Sequence, residues 1–267
     1  MSARMPVVYL PHGGGPWPFV DVGLPPDELR SLAEYLRGLP GILPAPPRAL
    51  LVLSAHWEAP VPTVMSAPRP PMLYDYYGFP PRSYTLQWPA PGDPTLAAHV
   101  RDLLSRAGLE SDEDPSRGFD HGTFIPMMLS WPQAQVPTVQ LSLQAGLDPA
   151  AHLALGRALA PLRDEGVFII GSGLSYHNLR ALQDPHADGA AQAFDTWLAQ
   201  TVVAGPAERD ARLADWSRAP AARLAHPREE HLLPLMVAAG AAGTDHGSLP
   251  WRGTLCGKRI SAVHFAA

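Results

Sequence analysis

A single cysteine, Cys256, stands in 267 residues. This excludes an internal disulfide framework and any cysteine-built zinc site, so histidine and carboxylate must supply any metal ligands. Charge is sparse as well. Only 17% of residues are charged, and 20 basic against 25 acidic side chains leave a formal net charge of −5. With a pI near 6.1, nothing electrostatic points to nucleic acid or an acidic membrane as a partner. No apolar run is long enough to cross a bilayer. The opening MSARMPVVYL lacks the basic region, apolar core and cleavage site of a secretory signal. A cytoplasmic protein without membrane or nucleic-acid partners is therefore expected, and a homo-oligomer is compatible with the sequence.

What is present is a chain that is 46% hydrophobic, enough to bury a large core. Its 32 prolines are scattered among aromatic and aliphatic residues. They read as stiffened, ordered loops over a regular core. Apolar β-like runs lie at 6–10, 50–54, 62–65, 84–88, 137–143, 167–171 and 260–265. Helical patterns lie at 25–39, 93–107, 148–164, 187–203, 207–216 and 227–242. Two of these open on Asp-Pro, an N-cap followed by a first-turn proline. Alternating strand and helix predicts an α/β fold: one layered α/β/α domain over 1–267, with a central mixed, largely parallel sheet. Neither an internal repeat nor a linker divides it.

Histidines mark the ends of several of these runs. His12 follows Val7-Val8-Tyr9-Leu10-Pro11 and precedes three glycines, which let the backbone turn sharply and approach a ligand. The loop has neither the lysine of a P-loop nor the spacing of a dinucleotide fingerprint. His56 ends Leu50-Leu51-Val52-Leu53-Ser54-Ala55, a run apolar enough for a buried parallel strand. Taken alone, His56 reads better as a ring satisfied by a backbone carbonyl at a strand end. His177 follows the run at 167–171 through a Ser-Gly-containing turn, as a ligand or as an acid/base near one. The carboxyl ends of strands in an open α/β sheet are where chemistry is presented. Imidazole is the commonest metal ligand, so one convergent metal site is expected there.

His226 and His231 flank a presumed helix start at Pro227. Five residues of helix turn about 500°, so the two rings point apart. His231, before Leu232-Leu233-Pro234-Leu235, is the inward candidate, with Glu230 as a rival ligand and Glu229 facing solvent. His121 sits in Arg117-Gly118-Phe119-Asp120-His121-Gly122, where Asp120 also reads as the cap of the following helix. His99, His152, His186, His246 and His264 read as surface, loop or terminal residues without a role.

The ordered set of motifs resembles the DOPA-dioxygenase-type members of the class III extradiol ring-cleavage dioxygenases, the LigB-type superfamily. Its carriers are His12-Gly13-Gly14, Ser54-Ala55-His56-Trp57, Tyr74-Asp75-Tyr76-Tyr77-Gly78-Phe79-Pro80, Tyr84, and Pro89-Ala90-Pro91-Gly92-Asp93-Pro94. Further along come Arg117 to Gly122, Pro137-Thr138-Val139-Gln140-Leu141-Ser142, Gly171-Ser172-Gly173, His177-Asn178-Leu179 and His226-Pro227 with Glu230-His231. Each motif is weak alone, and the ordered set is specific. Pro11 departs from the family, where many relatives have serine, and removes one backbone donor beside the site.

The resemblance implies a catecholic substrate, DOPA-like or another catechol, opened beside its diol with both atoms of O₂ inserted at a non-haem metal. It implies His12, His56 and His231 as ligands, His177 as acid/base and His121 as a group binding substrate or dioxygen. Glu230 and His177 stand as alternative ligands. Fe(II) would be the working metal. Three histidines also suit zinc, so Zn²⁺ is compatible with the purified protein. Trp57, Tyr74, Tyr77 and Asn178 are candidate substrate contacts, and Tyr76, Phe79 and Trp88 candidate pocket walls. Arg82, Arg117 and Arg180 are candidate partners for a substrate carboxylate. A zinc-dependent hydrolase on the same three histidines is a rival reading, as is a non-catalytic metal-binding protein.

Overall fold

Residues 4–266 are described by a computed structural model. Successive residues of the apolar runs bury themselves on opposite faces of one sheet, as the two-residue period of a strand requires. Tyr9, Leu51, Leu53 and Ile169 join the core on one face. Val8, Leu10, Leu50, Val52, Phe168 and Ile170 join the core on the other. Strands buried on both faces demand helices on both, and the sequence supplies them.

The sheet contains β1 (Val7–Pro11), β2 (Ala49–Ala59), β3 (Thr63–Met65), β4 (Asp112–Asp114), β5 (Thr138–Gln144), β6 (Val167–Gly173), β7 (His246–Leu255) and β8 (Lys258–Ala266). Their order across the sheet is β4-β3-β5-β2-β6-β1-β8-β7. The four central strands run parallel. β3 meets β5, and β8 meets both β1 and β7, antiparallel. The sheet is therefore mixed, with a parallel centre.

Eight α-helices accompany it among the described residues: α1 (Pro26–Gly38), α2 (Pro94–Arg106), α3 (His121–Ser130), α4 (Pro149–Leu159), α5 (Asp188–Val202), α6 (Pro206–Ala214), α7 (Ala222–Ala225) and α8 (Leu233–Ala242). α1 and α3 cover one face, while α4 and α8 pack on each other over the other. The Asp-Pro starts behave as expected: Asp93 caps α2 and Asp148 caps α4 with their carboxylates. No helix among the described residues is long and apolar enough to cross a membrane.

Three expectations fail locally. The run at 84–88 is not a strand. A short 3₁₀ turn occupies Pro81–Thr85, and prolines on both sides remove the donors a ladder needs. No helix opens at Pro227. Residues 226–232 are irregular, and the first-turn proline of α8 is Pro234. The helical rotation therefore does not separate His226 from His231. His152, expected at the surface, is buried, with Nδ1 at 2.7 Å from the Asp148 carbonyl and Nε2 accepting from the Gln144 amide at 3.2 Å.

Candidate metal centre

Five imidazoles meet at the carboxyl-terminal side of the parallel sheet, around the ends of β1 and β6 and the last residues of β2. His12 is the first residue after β1, and its amide still donates to the Gly173 carbonyl at 3.1 Å. His56 does not follow its strand, because β2 runs on to Ala59. The register with β5 breaks between Leu53 and Glu58, so residues 54–57 form an irregularity. Such bulges re-aim side chains beside active sites. His121 opens α3, whose cap is the Asp120 carboxylate. His177 leaves the β6 turn, with its amide donating to the Ala225 carbonyl at 2.9 Å.

His231 comes from the irregular segment before α8, and its backbone is tied to the sheet. Its carbonyl accepts from the Tyr9 hydroxyl at 2.7 Å and from the Leu174 amide at 3.2 Å. Position 173 must be glycine for this, since a β-carbon there would lie 2.1 Å from the His231 oxygen.

The rings are close. Centroid separations are 4.9 Å for His12–His56, 5.2 Å for His12–His231, 4.8 Å for His56–His231 and 4.0 Å for His56–His121. His177 stacks on His231 at 3.4 Å. Among the described residues, two groups of three have ligand atoms within 4.8 Å: His12, His56 and His121, and His177, Glu230 and His231.

The Nδ1 atoms face oxygen acceptors. Pro126 inside α3 has no N–H for the Gly122 carbonyl, four residues back. That carbonyl accepts the Ser172 hydroxyl instead. Ser172 has spent its one proton, so its oxygen accepts from His12 Nδ1–H at 3.1 Å. Asp75 accepts from His121 Nδ1 at 2.8 Å and lies 3.6 Å from His56 Nδ1. Glu230 Oε1 takes both His177 Nδ1 at 3.0 Å and His231 Nδ1 at 3.1 Å. In His12, His121, His177 and His231 these contacts place the ring proton on Nδ1 and leave Nε2 as the lone-pair atom, while His56 Nδ1, at 3.6 Å, makes no such bond.

This arrangement fits a metal. The Nε2 atoms of His12 and His56 face each other at 3.1 Å. The His12 Nε2 lone pair there can be met by a His56 Nε2–H or by a cation shared with His56. Two imidazoles on one ion at about 2.1 Å stand roughly 3.0–3.4 Å apart. Burial pushes His12 and His231 well below the ordinary histidine range and His56 down to about 3, each lowered further by neighbouring imidazoles. Neutral imidazole is the ligating form. Burial works against ionised Asp75, yet the hydrogen bonds from the His121 ring and amide hold its carboxyl below its ordinary value.

Other sequence-selected residues are distributed as follows. Tyr76, Tyr77 and Phe79 line the cleft with the five histidines, and Tyr77 is 91% exposed on its lip. Tyr74 does not line it; its hydroxyl donates to the Leu86 carbonyl at 2.8 Å. Trp57 is buried under the Arg117 guanidinium, 4.7 Å above its ring. Trp88 is buried against Phe119. Asn178 donates to the Leu224 carbonyl at 2.9 Å and lines a neighbouring cavity. His226 is turned away, donating to the Ser175 carbonyl at 3.0 Å between Phe194 and Trp216. Glu229 pairs with Arg223 at 2.6 Å. Sequence reasoning missed Asp75 and Ser172 as site residues, although both lie inside quoted motifs.

Comparison with known proteins identifies the family. Residues 7–258 match the family model described as the catalytic LigB subunit of aromatic ring-opening dioxygenase. A 4,5-DOPA dioxygenase extradiol of Beta vulgaris is 46% identical over 201 residues, covering 74% of each chain. A dioxygenase of Hapsidospora irregularis, tasH, is 39% identical over 265 residues, covering 90% of this chain and 80% of the other. The crystal structure of an uncharacterised Escherichia coli protein superposes with a TM-score of 0.79 at 31% identity, covering 98% of this chain and 100% of that one. Non-haem metal dependence, a small aromatic substrate and O₂ come with this family. The chain belongs to the LigB-type extradiol dioxygenases, and is an oxidoreductase that opens aromatic rings.

Proposed function

We propose that the protein opens a catechol beside its diol at one non-haem metal held by His12, His56 and His231, with Fe(II) as the working ion. The observation that carries this reading is the convergence of bare Nε2 atoms whose ring protons face oxygen acceptors. Bound there, the metal would hold catechol and dioxygen together and pass electron density between them.

The residues supply the rest. His177 lines the cleft with its Nδ1 proton committed to Glu230. Its Nε2 is free to accept a catechol proton and to return one later. His121, oriented by Asp75 through both its amide at 2.9 Å and its ring, offers Nε2 to substrate or dioxygen. Tyr76, Phe79 and the leucines of the cleft exclude water from the reacting atoms.

Anaerobic Fe(II) loading followed by a panel of catechols tests the reading, scored by O₂ uptake and product absorbance. Uptake with a semialdehyde product is expected. No uptake across the panel, with esterase or amidase activity on zinc, would overturn it. Metal content tests the ligand set: His231→Ala should lose most bound metal, while His121→Ala should keep it and lose turnover. The reverse pattern would make His121 the third ligand.

A further inference from the structure

The catalytic cleft, a cavity of about 410 Å³, divides by chemistry. Its floor is the histidine cluster with Asp75. The rest of its lining is mainly Leu24, Leu174, Leu179, Leu182, Leu255 and Phe79, with Tyr76 and Tyr77. Among the described residues no lysine or arginine lines it.

The arginines near it are engaged or point elsewhere. Arg117 is held by Asp120 at 2.9 Å beneath the floor. Arg228 grips Glu58 through two bonds of 2.5 and 2.6 Å. Arg82 lines a separate cavity with Phe19 and Leu29. Arg180 lines a neighbouring cavity that shares His177 and Leu179 with the cleft, and is absent from the lining of the cleft itself. An anionic substituent against these leucines and Phe79 would find no lysine or arginine in the lining, where Asp75 is the one carboxylate. Burying a carboxylate without a partner is strongly disfavoured. An alkyl or aryl chain there gains the full benefit of burial. Leu179 is 66% exposed and Tyr77 91% exposed at the mouth, so apolar surface continues to the rim.

We infer that the preferred substrate is a catechol carrying an uncharged apolar substituent, seated against Leu179, Leu182 and Leu255, and not a catechol with a carboxylate side chain. This rests on the proposed catechol chemistry of the same cleft.

The test separates the two. Metal-loaded protein is titrated anaerobically by calorimetry with catechols bearing ethyl, propyl and butyl chains. The same rings bearing acetate and propionate chains, and DOPA, form the comparison set. The dissociation constant should fall about three- to fourfold per added methylene, and the acids should bind at least about tenfold more weakly than alkyl chains of matched length. Leu182→Arg should reverse that order. Acids binding as tightly as their alkyl counterparts, or an Arg180→Ala variant selectively weakening the acids, would overturn the inference. So would the absence of binding by every catechol. O₂ uptake with the same series reports separately on the ring-opening reading. Tight, chain-length-dependent binding without uptake would refute that reading and leave the apolar selectivity standing.

Discussion

At the residue scale, the site is organised by the atoms behind the rings. His12 is held in one tautomer by a chain running from Pro126 through the Gly122 carbonyl to the Ser172 hydroxyl. Partners of this kind orient metal-binding histidines and set their basicity. Ser172→Ala removes the acceptor for His12 Nδ1 and frees the ring to flip. Metal affinity measured by chelator competition should fall about 10- to 100-fold, with a fold-stability loss of about 1–3 kcal/mol from the buried carbonyl left unpaired. An unchanged affinity would mean that the ring needs no tautomer lock. This chain was invisible in the sequence, because Ser172 and His12 are 160 positions apart and Ser172 and Gly122 are 50 apart. Asp75 was hidden in the same way, 46 positions from His121. His12, His56 and His177 were legible because each ends or follows a dense apolar run, and His121 and His231 because each stands immediately before one.

At the element scale, the parallel centre of the sheet was readable from runs too apolar for exposure. The edges were not. β7 alternates partly buried and exposed residues around Gly247, Pro250 and Gly253, and its pattern resembles a loop. β4 is three acidic residues on the opposite edge. The 84–88 run misled in the other direction, since its apolar residues pack inward from a turn without pairing. His231 shows why element ends matter. It lies on no regular element, and the close approach of its carbonyl to Gly173 fixes it. Gly173→Ala should destabilise the fold by about 1–3 kcal/mol and displace His231, lowering both Tm and metal content. Gly189→Ala, in α5 with nothing within 4 Å of the added carbon, should instead stabilise by about 0.5–1 kcal/mol. Equal effects at the two positions would refute the steric argument.

At the scale of the whole molecule, buried neutral histidine makes folding sensitive to acid. Burial lowers His226 to about 3, from an unfolded value of about 6.5. Below about pH 6.5 the unfolded chain binds a proton that the folded ring refuses. Stability therefore falls as pH drops from that value towards 3, at roughly 1.4 kcal/mol per pH unit for this residue. His226→Gln keeps a donor for the Ser175 carbonyl and removes the titration. Denaturant melts between about pH 5.5 and 4 should show a slope shallower by that amount, and an unchanged slope would refute the assignment. The bond pair between Arg228 and Glu58 has a different consequence for the molecule. It joins the strand that carries His56 to the segment that carries His231, while the Tyr9 hydroxyl joins that segment to the strand before His12. The carriers of the three proposed ligands, His12, His56 and His231, are thus cross-linked by contacts that need no ion. On the proposed ligand set the polypeptide would act as a preorganised chelator: denticity would be set by the fold, little chain freedom would be left to lose on capture, and an ion would have to leave all its donors at once.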